Sequence, residues 1–202
     1  MTDAKEAPAA LTQWRDSERA RLLDLRLAMS VATRHAASVA VAEHLDSLLA
    51  DQCGPVAGLT ISAWWPIKAE LNLRHWMERL TTAGARVALP VVVARAAPLV
   101  FRPWTPDCQM EQGVWKIPVP VDGPEVTPDI LLAPLVGWDE AGYRLGYGGG
   151  YFDRTLAAFA ARPMVIGVGL TAARIPTIFP KPHDIAMDRI VTEAGIEGTA
   201  RA

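Results

Sequence analysis

A glycine-rich stretch at residues 144–154 (RLGYGGGYFDR) is the part of the sequence with the clearest potential for chemistry. Four of the five residues from 146 to 150 are glycines, which can adopt left-handed dihedrals and present bare backbone N–H groups to an anion. Arg144, two residues before the first glycine, adds a guanidinium that can contact phosphate with two hydrogen bonds. The stretch therefore predicts a phosphate-binding loop.

The spacing of this loop excludes two common types of nucleotide site. No Gly-Lys-Ser/Thr follows, so it is not a Walker A loop, and G-x-G-G-G is not the dinucleotide fingerprint. No acidic residue ends a second strand about 20 positions later, as that fingerprint requires. The remaining alternative is a flexible connection that binds nothing, although four glycines in one turn are conformationally costly without a use.

Two carboxylates are candidate ligands for a divalent cation. Asp153 opens the helix that follows the glycines, and Asp184 follows Pro182-His183 late in the chain. Carboxylate oxygens are the ligands that Mg²⁺ takes beside bound phosphates. The alternative for Asp153 is to complement the helix dipole, and the alternative for His183 is an ordinary packing or hydrogen-bonding role.

Three arginines of the first predicted helix, Arg15, Arg19 and Arg26, lie along one side of it. They form either a solvated basic flank or, if that flank faces the glycines, the cationic wall that a polyphosphate needs. Trp65 ends a predicted strand near Glu70, and Trp115 lies in an irregular segment. Exposed aromatics beside a carboxylate suit a flat heteroaromatic ligand, with core filling as the alternative.

The hydrophobic pattern predicts the elements that must position these residues. Apolar strands that alternate with amphipathic helices predict one three-layer α/β domain over residues 11–202, with a mostly parallel sheet and an antiparallel edge. The glycine loop then lies at the carboxyl end of the strands, where such sheets bind ligands. Residues 1–10 are expected to form a loose tail. Strands are predicted at 58–65, 86–93, 98–104, 129–135, 164–170 and 189–192, and helices at 11–29, 30–51, 72–83 and 151–161.

The composition of the 202 residues limits the possible partners. Twenty basic and 22 acidic residues give a net charge of −2, which provides no global positive field for nucleic acid or anionic membranes. The N-terminus lacks a signal-peptide pattern, and the two cysteines fit neither a disulfide framework nor a metal knuckle. We expect a cytoplasmic monomer that binds neither nucleic acid nor a membrane.

Six motifs follow one another along the chain: R-x-x-M-S at 26–30, W-P-I-K-A-E at 65–70, G-x-W-x-I-P at 113–118, the glycine stretch at 144–154, P-H-D at 182–184 and I-V-T-E at 190–193. In this order they resemble the motifs of the 5-formyltetrahydrofolate cyclo-ligase family. The resemblance implies an enzyme that uses ATP and Mg²⁺ to convert 5-formyltetrahydrofolate, with or without a polyglutamate tail, to 5,10-methenyltetrahydrofolate.

The same resemblance implies roles for individual residues. It assigns ATP to Arg15, Arg19, Arg144, Leu145, Gly146, Tyr147, Gly148, Gly149, Gly150, Tyr151 and Phe152, and Mg²⁺ to Asp153 and Asp184. It assigns the folate to Trp65, Glu70, Trp115, Tyr147, Gly148, Gly149, Gly150 and Tyr151. Arg144, Glu70 and Tyr151 are the expected catalytic residues.

Departures from the family pattern leave two further functions open. Arg15 stands where the family usually has lysine, and the glutamine that the family often carries near Ala173 is absent. These differences permit a folate-binding or storage protein without turnover. The glycine loop alone would also permit a different phosphate-ligand enzyme, such as a sugar-phosphate isomerase on a related α/β fold.

Overall fold

The computed structural model describes residues 3–121 and 123–198. Their helices and strands alternate in the manner of an α/β protein. In chain order they are α1 (Asp3–Ala28), α2 (Val31–Cys53), β1 (Thr60–Ser62), α3 (Arg74–Thr82), β2 (Arg86–Val91), β3 (Val100–Pro103), β4 (Met110–Gln112), β5 (Pro118–Pro120), β6 (Ile130–Pro134), β7 (Gly137–Trp138), β8 (Arg144–Leu145), α4 (Tyr151–Ala158), β9 (Met164–Val168), β10 (Arg189–Thr192) and β11 (Gly195–Gly198).

A seven-stranded sheet with the order β11-β10-β9-β6-β1-β2-β3 forms the centre of the fold. Its five inner strands are parallel, and β3 and β11 pair antiparallel at the two edges. Ile61 of β1 is in register with Ile130 of β6, which is in register with Met164 of β9. The predicted α/β fold with a mostly parallel, mixed-edge sheet is confirmed.

The connections of this sheet reverse direction between β1 and β6. The chain passes from β1 through α3 to β2 on one side, and from β6 through α4 to β9 on the other. Parallel crossovers are almost always right-handed, so we expect α3 and α4 on opposite faces, which is the three-layer arrangement. A reversal of this kind leaves a crevice at the carboxyl ends of the two strands, where ligands bind.

Helix α1 crosses this crevice. Leu22 is 1% exposed, and its Cδ1 atom would lie 2.6 Å from a Cβ atom placed on Gly137, just after β6. A side chain at residue 137 would therefore push the helix away from the sheet. The close contact seats α1 over the carboxyl ends of β1 and β6, and its arginines reach the loops that follow both strands.

The buried apolar residues of the inner strands make the core, as their continuous hydrophobic runs predict. Helix α2 begins at an N-cap, because Thr33 N–H donates to Ser30 Oγ over 3.0 Å, and it ends at Gly54, whose φ is 69°. Trp76 is 1% exposed, whereas Trp14 is only partly buried and packs edge-to-face on Phe179.

Three features differ from the sequence-based expectations. Helix α1 begins at Asp3 instead of Leu11, so the predicted loose tail is helical from residue 3. The hairpins β4–β5 and β7–β8 and the strand β11 were not predicted. Two- to four-residue strands are too short to show a period, and β5 has prolines at both ends. Among residues 3–121 and 123–198, no helix is both long and apolar enough to cross a membrane.

Candidate active site

Helix α1 presents a buried, not a solvated, basic face. Arg15 is 6% exposed; its Nε donates to Ile178 O over 3.1 Å and its Nη2 to Phe179 O over 2.9 Å, and it also pairs with Asp184. Arg19 Nε donates to Gly146 O over 2.7 Å. Arg19 therefore contacts the glycine loop and Arg15 the loop at 178–184, and the alternative of a solvated basic flank is wrong.

Arg26 joins three segments at the crevice. Its Nε donates to Lys68 O over 3.1 Å, its Nη1 lies 3.4 Å from Leu135 O, and its Nη2 donates to the Tyr147 hydroxyl. Lys68 follows β1, Leu135 follows β6, and Tyr147 belongs to the glycine loop. Arg26 thus holds the 65–70 segment and the glycine loop, which the resemblance assigns to the folate and to ATP, in fixed relative positions.

The glycine loop needs its glycines at two positions in particular. Gly148 has a φ of 91° and Gly150 a φ of 64°, values that side-chain-bearing residues rarely adopt. A Cβ atom on Gly148 would lie 3.5 Å from the guanidinium carbon of Arg19. Gly150 is the residue before α4, so the turn ends at the positive end of that helix dipole. The local geometry suits an anion.

Arg144 and Asp153 form a nearly buried ion pair across this loop. Arg144 Nη1 donates to Asp153 Oδ1 over 3.1 Å and Nη2 to Oδ2 over 2.9 Å, with the two side chains 5% and 15% exposed. Asp153 Oδ1 also accepts from the Ile185 N–H. Burial lowers the pKa of Arg144, and the charges of Asp153 and Asp184 partly offset this. The guanidinium fork thus faces Asp153, and a direct contact with phosphate stays a prediction.

Asp184 is the other predicted metal ligand. Its Oδ2 accepts from Arg15 and from the Lys181 N–H, and these bonds outweigh the effect of burial, so the pKa of the Asp184 carboxyl lies below its ordinary value. Its Oδ1 accepts no hydrogen bond from the described residues. Those residues contain no cluster of three or more His, Cys, Asp or Glu side chains able to hold a metal. Mg²⁺ held by phosphates takes only one or two carboxylates, and Asp184 Oδ1 fits that requirement.

Glu70 lies in the crevice and is 5% exposed. Its Oε2 accepts from the Ile67 N–H over 2.9 Å, and its Oε1 accepts from the Tyr147 hydroxyl over 2.8 Å. Burial raises the pKa of the Glu70 carboxyl despite these bonds. Burial and the neighbouring Glu70 charge also raise the pKa of Tyr147. Hydrogen bonds from two segments thus hold this buried carboxylate in place, as a group that recognises a ligand requires.

The predicted aromatic residues divide into two groups. Trp115 is 65% exposed and packs edge-to-face against Tyr151, with ring centroids 5.5 Å apart. Its φ of 57° is left-handed, an unusual conformation for tryptophan that occurs where strain has a use. Trp65 instead packs under the Arg74 guanidinium, 5.1 Å from the ring. The structure places Trp115 with Tyr151 at the start of α4.

Two residues of the crevice were absent from the site predicted from the sequence. Arg26 was placed on the basic face of the first helix and in the R-x-x-M-S motif but was assigned to no ligand, although it shares one face of the helix with Arg15 and Arg19. Trp64 is 6% exposed and lines the same cleft as Arg26 and Glu70. Its indole N–H lies beside Glu70 without a hydrogen bond of good geometry. No sequence signal separates it from Trp65.

Comparison with known proteins identifies the family of the chain. The model of the 5-formyltetrahydrofolate cyclo-ligase family matches residues 11–193. A 5-formyltetrahydrofolate cyclo-ligase of Escherichia coli is 39% identical over 144 residues, covering 68% of this chain and 79% of the relative. One of Mycolicibacterium smegmatis is 34% identical over 145 residues, covering 68% and 75%.

A solved structure supports the fold. The 5,10-methenyltetrahydrofolate synthetase of Aquifex aeolicus superposes with a TM-score of 0.75 at 24% identity, covering 93% of this chain and 94% of that one. The resemblance predicted from the motifs is confirmed. With the family model spanning nearly all of its length, the chain belongs to the 5-formyltetrahydrofolate cyclo-ligase family.

Proposed function

We propose that this chain converts 5-formyltetrahydrofolate to 5,10-methenyltetrahydrofolate and that ATP is cleaved to ADP and phosphate in the reaction. The observation that supports this most directly is the meeting of Arg19, the glycine loop and Glu70 at the sheet reversal. That meeting puts an anion-binding turn beside a buried carboxylate in a member of the cyclo-ligase family. We further propose that the protein acts as a cytoplasmic monomer on folates with or without a polyglutamate tail.

The proposed reaction has two steps. The formyl oxygen attacks the γ-phosphorus of ATP, the bond from that phosphorus to the ADP oxygen breaks, and the formyl carbon becomes an activated, iminium-like centre. N10 of the folate then attacks this carbon and loses its proton, and the carbon–oxygen bond breaks to release phosphate. Phosphoryl transfer depends on positioning and charge neutralisation more than on a nucleophilic side chain. The arginines, backbone N–H groups and carboxylates of the site match that need.

The side chains divide the work between the two substrates. We assign Arg15, Arg19, Arg144 and the turn to Phe152 to the nucleotide phosphates, with Arg19 holding the turn through Gly146 O. Glu70 orients the pterin through its buried carboxylate. Trp115 and Tyr151 supply aromatic surface at the start of α4, and Trp65, which packs under Arg74, is assigned to the folate with the 65–70 segment that carries Glu70.

Mg²⁺ is assigned to the carboxylates beside the loop. Asp184 would hold the ion through the oxygen that Arg15 leaves open, and Asp153 would contribute by giving up one of its bonds to Arg144. Bound there, the ion would neutralise phosphate charge. Everything else that the site does, namely seating the loop and orienting the folate, is done by the chain's own residues.

A coupled assay tests the proposal. The protein is mixed with Mg-ATP and 5-formyltetrahydrofolate, separately and together, and the near-ultraviolet absorbance of the methenyl product is followed alongside ADP release. Product and ADP in equal amounts, only with both substrates, support the proposal. Folate binding without ADP release would instead favour a storage protein. Protection from thermal unfolding by sugar phosphates but not by ATP would favour another phosphate-ligand enzyme.

Arg19→Gln is expected to raise the KM for ATP about 10-fold, with a smaller change in kcat. A change of this size corresponds to the loss of roughly one charge-assisted hydrogen bond. The reason is that Arg19 seats the turn through Gly146 O and carries the charge nearest to Gly148. Arg21→Gln is the matched control, because Arg21 lies on the same helix, has a side chain that is 55% exposed and pairs with Glu18 on the surface of that helix. Equal KM values for the two variants would remove Arg19 from the nucleotide site.

A further inference from the structure

We propose that Tyr147 couples the two substrate sites, so that folate bound at Glu70 tightens the binding of ATP to the glycine loop and ATP tightens the binding of folate. The inference rests on the proposed function for the identity of the two substrates. The Tyr147 hydroxyl thereby has a coupling role that is separate from the binding of either substrate at its own site.

The first observation is that Tyr147 belongs to both sites at once. Its backbone lies in the glycine turn between Gly146 and Gly148, whereas its hydroxyl donates to Glu70 Oε1 over 2.8 Å. This is the direct hydrogen bond between the turn and the Trp65–Glu70 segment in the described part of the chain. The position of the turn and the position of the carboxylate therefore depend on each other.

The second observation is that Arg26 also makes a hydrogen bond to the Tyr147 hydroxyl. Arg26 Nη2 donates to the Tyr147 hydroxyl, which leaves the hydroxyl hydrogen to be donated to Glu70. The same guanidinium holds Lys68 O, two residues before Glu70. The Lys68 ammonium lies 5.2 Å from the Tyr147 ring. Arg26 is 6% exposed, so these contacts are made in a site with little water, where hydrogen bonds polarise one another.

The third observation is that Glu70 can accept a ligand without releasing Tyr147. Each carboxylate oxygen can accept two hydrogen bonds, and each oxygen of Glu70 accepts one from the residues named above. The Trp64 indole N–H, buried beside Glu70, adds a donor to the same cleft. A ligand with adjacent N–H groups can therefore bind Glu70 while the tyrosine stays bound.

Folate binding then acts on the glycine turn in a defined direction. A bound pterin shields the Tyr147–Glu70 bond from water, which strengthens the bond and holds the turn in one conformation. Glu70 and Arg26 are 5% and 6% exposed but Tyr147 is 39% exposed, so the water that a bound ligand can still remove lies on the tyrosine side of this bond. ATP that binds an already ordered turn loses less conformational entropy, and linkage requires the same factor for folate.

The test measures binding without turnover. Calorimetry gives the Kd of a non-hydrolysable ATP analogue with Mg²⁺, with and without saturating 5-methyltetrahydrofolate, which has no formyl oxygen to receive a phosphoryl group. For the unmodified chain we expect the folate to tighten nucleotide binding at least 5-fold, within the usual range of coupling. In Tyr147→Phe we expect the ratio to fall below 2, because the link to Glu70 is gone.

Matched variants separate coupling from damage to the fold. Tyr143→Phe removes a hydroxyl that makes no hydrogen bond among the described residues and should keep the full ratio. Arg26→Lys keeps the charge but cannot hold Lys68 O and Tyr147 together, and should lower the ratio if Tyr147→Phe fails to fold. A ratio below 2 in the unmodified chain, weaker binding in the presence of folate, or an unchanged ratio in Tyr147→Phe overturns the proposal. Absence of methenyl product from the unmodified chain would instead contradict the proposed function.

Discussion

Asp153→Asn is expected to lower the free energy of unfolding by roughly 3–5 kcal/mol, the usual cost of removing one partner of a buried ion pair. The substitution leaves the Arg144 guanidinium, 5% exposed, without the carboxylate that accepts both of its hydrogen bonds. From the sequence alone, we would expect this change to impair Mg-ATP use far more than folding. The buried pair changes that expectation: Asp153→Asn should reduce the stability of the fold as well as any use of Mg-ATP.

Urea denaturation, with and without Mg-ATP, measures both effects. Adding Arg144→Met to Asp153→Asn removes the stranded charge, so the double variant should be more stable than the single one. Glu140→Gln is the surface control: Glu140 pairs with Arg174 but is 72% exposed, and its loss should cost less than about 1 kcal/mol. An Asp153→Asn variant as stable as Glu140→Gln would show that the pair contributes little.

Glu70→Gln is expected to lower kcat/KM for 5-formyltetrahydrofolate about 10- to 150-fold, which corresponds to the 1.5–3 kcal/mol typical of a hydrogen bond to a charged group. Glutamine keeps the size of the side chain but loses the charge that would bind the pterin. Initial rates at varied folate and saturating ATP give the value. Glu78→Gln, on α3 where the side chain is 45% exposed, should leave the rate unchanged. Equal rates for the two variants would exclude Glu70 from folate binding.

The difference in unfolding free energy between the unmodified chain and Glu70→Gln should depend on pH. Burial raises the pKa of Glu70 in the folded state above its ordinary value of 4.5. The folded state then holds the proton more tightly, so the contribution of Glu70 to stability falls as pH rises from about 4.5 through the folded pKa. Unfolding free energies of the unmodified chain, minus those of Glu70→Gln, should decrease over that interval. A difference independent of pH would contradict the effect of burial.

The fold was predictable where the hydrophobic runs were long. The inner strands and α4 begin at or near the predicted residues, and β10 spans Arg189–Thr192 as expected. The hairpin β4–β5 was not predictable, because prolines and three-residue strands show no period. The start of α1 was missed because Pro8 and small residues hide a helix.

The site was predictable in its composition but not in its pairings. Glycines and arginines indicate phosphate from their chemistry alone. Whether Arg144 faces a ligand or Asp153 depends on a contact across nine residues, and Arg15 reaches Asp184 over a separation of 169. Such pairings arise from the fold, which periodicity does not encode. Arg26 was overlooked for the same reason, since its three partners lie 42, 109 and 121 residues away.

The contacts between α1 and the end of the chain also bear on the order in which the protein folds during translation. A ribosome delivers the first helix early, yet the partners of Arg15, namely Ile178, Phe179 and Asp184, emerge only near the end of translation. Until then Arg15 lacks the partners that it has in the folded chain. We therefore expect strands β1, β2 and β6 to be able to pair before α1 makes its contacts with residues 178–184, which would place completion of the site late in synthesis.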